Sequence, residues 1–337
     1  MSNSATSSFP LLIGDIGGTN TRFAILEGPG GPLRRLPPSL TAHHATPIDA
    51  IGAALGEVPA MRPRAAFLAV AARVDGPVAR LTNAGWTIDI AAVGERFGFQ
   101  SVQLVNDYVP VAAALTTLSE QEGDLLQVGP AAAPPAAGAR IVLGPGTGFG
   151  AAALLPAGEQ CLILSTEAGH ADFGPATEEE AGLWPLIERV EGRVTAETVL
   201  SGPGLFRLYC ALSAQRRQDQ GCTTPADVSE AALAGTDDIA VETLQWFARL
   251  LGRYAGDLAL IFGASAVYVG GGIAPRIARV LQGGGFRAAF ERKAVFGEWM
   301  KTVPTYVIAE AAPALRGLAV LAAQPTRFAY RAASWAR

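Results

Sequence analysis

Short apolar runs, each closed by a glycine-rich or polar turn, alternate along this chain with longer stretches of helical spacing. Leu11–Ile13 and Phe23–Leu26 flank a polar glycine turn and predict a hairpin, with a loop over the Gly/Pro-rich residues 28–38. Residues 46–55 predict a helix starting at Pro47. Ala65–Ala71 predicts a buried strand. Another strand ends at Leu104–Val105, Asn106 and Asp107 follow at once, and 110–118 reads as a helix. Asp107 therefore falls where a strand hands over to a helix. Residues 129–138, with the run AAAPPAAG, read as a surface loop. Ile141–Leu143, a glycine turn over 144–150 and an apolar run to Leu155 repeat the N-terminal logic of strand, glycine turn carrying a threonine, and strand. Beyond Glu178 helices dominate, with a major one over 236–261. A strand over Ala266–Val269 runs into Gly270–Gly272 and a helix start at Pro275. Thr305–Ile308 is a further strand and Pro313–Ala323 a closing helix. Interleaved strands and helices place the chain in the α/β class.

Composition narrows the function. With 337 residues, two domains are expected, and the 50% of apolar residues can fill two cores. A net charge of −4 lacks the basic footprint of a nucleic-acid binder. Lys293 and Lys301 are the only lysines, and no local pattern explains that bias toward arginine. Cys161, Cys210 and Cys222 have no metal-type or disulfide spacing and fit a reducing cytosol. The polar stretch Met1–Pro10 does not read as a signal peptide, and no apolar run is long enough to span a membrane.

Three glycine turns are candidates for phosphate or nucleotide. Gly14-Asp15-Ile16-Gly17-Gly18-Thr19-Asn20 can aim backbone N–H groups at an anion, and Asp15 suits such a site if Mg²⁺ mediates. Gly144–Gly150, centred on Gly146 and Thr147, is a second candidate; Gly270-Gly271-Gly272 is a third. Each also has a structural reading, a tight turn for the first two and a close approach of strand and helix for the third. The dinucleotide pattern GxGxxG fails, since the third position is Phe149 or Pro275, and no lysine follows a glycine as a P-loop requires. Asp107 suits a general base for a hydroxyl, but locally it reads as a helix N-cap. Glu167, His170 and Asp172 crowd one polar segment, and Glu197 sits early in a helix that Thr195 caps; sugar binding, a structural histidine and a helix-dipole role all stay open.

Taken in order, GDIGGTNTR (14–22), LTNAGW (81–86), VNDY (105–108), GPGTGFG (144–150), EAGHADF (167–173), TAETVLSGPGL (195–205), VGGGIAPR (269–276) and FRAAFERK (286–293) resemble the bacterial glucokinase family of the hexokinase–actin superfamily. The resemblance spans nearly the whole chain. It implies two ribonuclease-H-like lobes with a cleft between them: a small lobe over 1–118, with a C-terminal helix 313–337 packing back on it, and a large lobe over 119–312. It implies transfer of the γ-phosphoryl group of ATP, with Mg²⁺, to the 6-hydroxyl of glucose in a cytoplasmic homodimer that binds neither nucleic acid nor membrane. A kinase for another hexose, and a non-catalytic sugar or nucleotide sensor, are the alternatives. By the same resemblance Asp107 is the base. Asn83, Asn106, Asp107, Glu167, His170 and Glu197 bind the sugar. Gly14, Asp15, Gly17, Gly18, Thr19 and Asn20 form the first phosphate site, with Asp15 organising Mg²⁺ through water. Gly146 and Thr147 form the second phosphate site, and Gly271 and Gly272 face the adenosine. Two departures stand out: Ala168-Gly169 where the family usually has two glycines, and Tyr108 where phenylalanine is commoner.

Overall fold

The computed structural model describes residues 9–82, 84–130 and 138–337. The predicted loop at 129–138 lies mostly outside them, as does the N-terminal stretch to residue 8. The strands are β1 (Leu11–Ile16), β2 (Asn20–Leu26), β3 (Leu33–Arg35), β4 (Ser39–Leu40), β5 (Ala65–Val70), β6 (Val78–Arg80), β7 (Thr87–Asp89), β8 (Ser101–Asn106), β9 (Leu125–Gln127), β10 (Ala139–Pro145), β11 (Phe149–Ala157), β12 (Gln160–Thr166), β13 (Ala264–Val269), β14 (Thr305–Ile308), β15 (Phe328–Ala329) and β16 (Ala333–Ala336). The helices are α1 (Pro47–Gly56), α2 (Ile90–Phe97), α3 (Tyr108–Ala114), α4 (Glu178–Leu183), α5 (Ala196–Val199), α6 (Gly202–Arg216), α7 (Pro225–Ala234), α8 (Asp238–Phe262), α9 (Ala278–Gln282), α10 (Gly285–Glu291), α11 (Gly297–Thr302) and α12 (Pro313–Ala323).

The chain divides into two compact units. The first comprises Met1–Leu118, Ala152–Ser165 and Glu310–Arg337; the second, Ser119–Ala151 and Thr166–Ala309. In the first unit a sheet runs in the order β16-β8-β5-β1-β2-β3, with β4 also on β2. β1, β5 and β8 are parallel, while β2 and β16 join them antiparallel. Alternate residues point to opposite faces. Leu12, Leu68 and Leu104 share a core with Ile51 of α1 and Val93 of α2. The intervening Ile13, Phe67 and Val105 are also buried, and α3 and α12 pack on the sheet and on each other. A sheet buried on both faces needs continuous apolar strands, which is why β5 reads AAFLAV.

Local signals set the helix limits. Pro47 opens α1 and Thr46 caps it by accepting from Asp49 N–H (3.2 Å). Asp89 caps α2, and Gly98, in the left-handed region at φ 68°, ends it. In the second unit Asp237 caps the 25-residue α8, against which α6, α7 and α10 pack. β10, β13 and β14 are parallel, and β9 closes on β14 antiparallel. Within this unit these strands run in the order β10-β13-β14-β9.

Several expectations shift. The 28–38 loop contains β3, which pairs with β2. α3 starts at Tyr108, so Pro110 stands in its first turn, where the missing N–H costs nothing. No helix starts at Pro275: residues 271–277 form turns, with Ile273 N–H bonded to the Pro145 carbonyl, and α9 begins at Ala278. The C-terminal segment is helical only to Ala323, after which β15 pairs with β12 and β16 with β8.

Arg287 ties α10 to the segment leading into β14. It donates to the Met300 (2.6 Å) and Val303 (2.8 Å) carbonyls, pairs with Glu291 (2.6 Å) and lies 4.6 Å from the Phe290 ring centroid. Arg287→Met keeps much of the stem and removes every donor. It should cost about 3 kcal/mol, read as a lower midpoint of thermal unfolding. An unchanged midpoint would show that the carbonyls find other partners.

Candidate functional site

The first unit gathers one group of residues at the carboxyl ends of its parallel strands. Ile16 stands opposite Val70 and Val70 opposite Asn106. Just past the strand ends, Ala71 N–H donates to the Ile16 carbonyl (3.1 Å) and Asp107 N–H to the Val70 carbonyl (2.9 Å). Gly14 and Asp15 stand in the turn-ward half of β1, Gly17 and Gly18 turn, Thr19 is exposed at the tip, and Asn20 opens β2. Gly17 N–H closes the turn onto the Asn20 carbonyl (2.9 Å). Thr41 braces it from outside: its hydroxyl donates to the Gly17 carbonyl (2.8 Å) and its N–H to the Thr19 carbonyl (2.9 Å). Thr41 is buried, and sequence reasoning missed it because its two contacts lie more than twenty residues away.

Asp107 does not cap α3. It occupies the N-cap position in a helical conformation (φ −62°, ψ −26°) and makes no side-chain cap bond. Asn106 does that work, accepting from Tyr108 N–H (3.0 Å) while its amide donates to the Ala72 carbonyl (3.1 Å). The second amide hydrogen of Asn106 is left for another acceptor. Burial pushes the Asp15 carboxyl above the ordinary carboxylate range, opposed by Arg22 at 3.4 Å. Burial, then the charges of Asp107 and Asp15, pushes the Tyr108 hydroxyl far up. The Asp15 and Asp107 carboxylates therefore act on one tyrosine. Asn83 lies outside the described residues.

The second unit gathers another group around Pro145–Phe149. Gly146 N–H bonds the Gly148 carbonyl (2.8 Å), and Gly202 N–H, opening α6, bonds the Gly146 carbonyl (2.8 Å), leaving Thr147 at an exposed tip. Glu197 sits on α5, where Thr195 and Thr198 form a capping box. Its Oε2 accepts from Phe149 N–H at 2.7 Å, so the carboxylate ties the exit of the glycine turn to α5. Gly271, at φ 78°, lies so close to the Pro145 carbonyl that any side chain would overlap it. Gly272 faces open space. Ala168–His170 form a short 3-10 turn, with Glu167 and His170 both exposed. Gly169 presses on the Phe149 carbonyl and has no room for a Cβ, so of the two glycines usual in the family only this one is sterically required. Among the described residues no cluster of three metal-ligating side chains occurs, and no helix is long and apolar enough to cross a membrane.

A family model described as Glucokinase matches residues 12–325. The chain belongs to the glucokinase family. The glucokinase of Chelativorans sp. (strain BNC1) is 43% identical over 321 residues, covering 95% of this chain and 93% of that protein. The glucokinase of Brucella suis biovar 1 (strain 1330) shows the same identity and coverage. Among solved structures, the glucokinase from an Antarctic psychrotroph is 31% identical with a TM-score of 0.76, covering 92% of this chain and 97% of that one. The glucokinase from Balamuthia mandrillaris, solved with glucose, shares the fold at a TM-score of 0.78 and 18% identity over 93% of each chain. The glucokinase family is thus met both in sequence and in the α/β architecture.

Two outcomes follow from the first group. Thr41→Val keeps the shape and loses the bond to Gly17, at about 1 kcal/mol of stability; KM for ATP should rise several-fold while KM for glucose holds. An ATP KM at the wild-type value counts against the brace. Asp15 holds its proton more tightly folded than unfolded, so it costs stability as pH rises through the carboxylate range and costs nothing in acid. Asp15→Asn should therefore raise the unfolding temperature of the ligand-free protein by a few degrees at pH 7 and not at pH 3. A gain equal at both pH values contradicts the assignment.

Proposed function

We propose that this member of the glucokinase family phosphorylates glucose with Asp107 as the base. Asp107 takes the proton of the 6-hydroxyl as that oxygen bonds the γ-phosphorus of ATP and the bond to ADP breaks, giving glucose 6-phosphate. The observation that carries this reading is that Asn106, not Asp107, caps α3, so the Asp107 carboxylate is held at a strand end without being spent on the helix. A carboxylate aligned with a hydroxyl suits phosphoryl transfer, where positioning and charge stabilisation do most of the catalysis.

Asn106, Glu167, His170 and Glu197 hold the sugar in this reading, with Asn83 as a loop contact. Glu197 keeps Oε1 for a sugar hydroxyl while Oε2 holds Phe149 N–H. Gly14, Gly17, Gly18, Thr19 and Asn20 receive one part of the polyphosphate, Gly146 and Thr147 another, and Gly271 and Gly272 the adenosine. Asp15 fits a Mg²⁺ partner: it is a half-buried hard oxygen donor with one long ion pair at 3.4 Å, and Mg²⁺ is usually held by one or two carboxylates besides phosphate and water. The ion would supply neutralisation of charge on the transferring phosphate. A cytoplasmic setting agrees with the three free cysteines, and the homodimer is what the family resemblance implies.

Asp107→Ala should lower kcat by roughly 10²–10⁴ while glucose binding, measured by calorimetry, stays close to wild type. Near-normal turnover of that variant sinks the assignment. Glu167→Gln and Glu197→Gln should instead raise KM for glucose, each by a loss on the order of 1–3 kcal/mol. The same coupled assay, run over a panel of hexoses, reads sugar selectivity.

A further inference from the structure

In the Glu167–His170 turn both named side chains are exposed, while Gly169 between them is buried against Phe149. The backbone of the turn is held from two sides by residues that carry no sugar chemistry. The Tyr254 hydroxyl on α8 donates to the Ala168 carbonyl (2.5 Å). Arg193 donates to the His170 carbonyl (3.2 Å) and, through Nε, to Asp172 (2.8 Å). These bonds fix the carbonyls on either side of Gly169, and so the direction in which Glu167 and His170 leave the turn.

Tyr254 reaches further. Its ring meets Phe149 edge-on at 5.5 Å and Phe173 at 5.3 Å. Phe149 is the residue whose N–H the Glu197 carboxylate accepts, and whose carbonyl Gly169 presses upon. Phe173 follows the turn and is fixed in its place by Trp184 Nε1, which donates to its carbonyl (3.0 Å). One buried side chain thus touches the Glu167–His170 turn and the residue that Glu197 holds. Burial, then the charge of Asp257, pushes the Tyr254 hydroxyl up to about 12, so it remains a donor throughout the working pH range.

We propose that Tyr254 and Arg193 are positioning residues for sugar selectivity: together they clamp the turn so that Glu167, His170 and Glu197 meet a single arrangement of hydroxyls. The proposal rests on the reading that those three side chains bind the sugar. Selectivity among epimers depends on this clamp because they differ only in where a hydroxyl points, and displacements well under a bond length change which hydrogen bonds form.

Tyr254→Phe keeps both ring contacts and removes the hydroxyl alone. Ala168 also accepts from Ala171 N–H (3.0 Å), so the carbonyl keeps a partner and the fold should hold. Arg193→Gln makes the corresponding change from an exposed position. The measurements are kcat and KM for glucose, mannose and ATP, and the unfolding temperature, for wild type, both variants and Glu167→Gln. Each clamp variant should raise KM for glucose about tenfold and narrow the glucose-to-mannose ratio of kcat/KM, with KM for ATP and the unfolding temperature near wild type. Either variant with wild-type glucose KM overturns the proposal, as does a rise in both KM values together with a loss of unfolding temperature, the mark of a structural role. Glu167→Gln separates the two layers. If it leaves glucose KM unchanged, the sugar-site reading fails and takes the clamp with it; if it raises KM while the clamp variants do not, the clamp alone fails.

Discussion

The in-register parallel pairing of β1, β5 and β8 is the constraint on which the candidate site of the first unit depends. Three strands that end level place the residues just beyond them level too. The ladder continues one step past the strands, Ala71 onto Ile16 and Asp107 onto Val70, so the glycine turn and Asp107 are anchored to neighbouring strand ends. A slip of one residue would send each side chain to the opposite face, and the close packing on both faces resists it. The perturbed acidities follow from the same constraint. Asp15 is half-buried, and both it and Asp107 bear on Tyr108, because the ends of β1 and β8 that carry them stand level on either side of β5.

The second unit applies the same logic with one addition. Leu143 stands opposite Val269, and Gly270 N–H carries the ladder on to the Leu143 carbonyl (2.8 Å). That sets the third glycine turn against the second, closely enough that Gly271 must lack a side chain. The addition is the Glu197 carboxylate on Phe149 N–H. A charged acceptor makes a stronger bond than a carbonyl would, and it reaches forty-eight residues along the chain to fix a turn that a hairpin alone would leave to its own ends. Glu197 can serve a ligand as well, since a carboxylate has lone pairs to spare once one oxygen is engaged.

What was legible in the sequence was whatever has a local cause. β14 and α12 appear at the limits their apolar runs and Pro313 indicate, α1 opens at Pro47, and Thr195 caps the helix it precedes. Local rules misled where another contact overrode them. The cap preference of aspartate pointed to Asp107, but the neighbouring asparagine took the bond. Pro275 suits a helix start, yet the Pro145 carbonyl captures Ile273 N–H and holds the segment as turns. β15 is two residues long and exists because β12 lies beside it. Thr41 and Tyr254 carried no signal at all: a threonine in a polar loop and a tyrosine in a long helix are unremarkable until the carbonyls they serve come into reach. The candidate site was legible chiefly through the ordered family resemblance, because single turns of glycine have too many uses.

This division has a physical reason in the reaction itself. Phosphoryl transfer asks the protein for little covalent work and much positioning, and positioning falls largely to the backbone. Thr41 bonds Gly17, Tyr254 bonds Ala168, Arg193 bonds His170 and Glu197 bonds Phe149: every one of these side chains is spent on a main-chain atom. A turn held by its carbonyls and amides tolerates change at side chains that point elsewhere, which accounts for Ala168 standing where a second glycine is usual while Gly169 cannot change. The same reasoning makes Tyr108 the more consequential departure, because its hydroxyl is added beside two carboxylates rather than at a position the backbone already fixes.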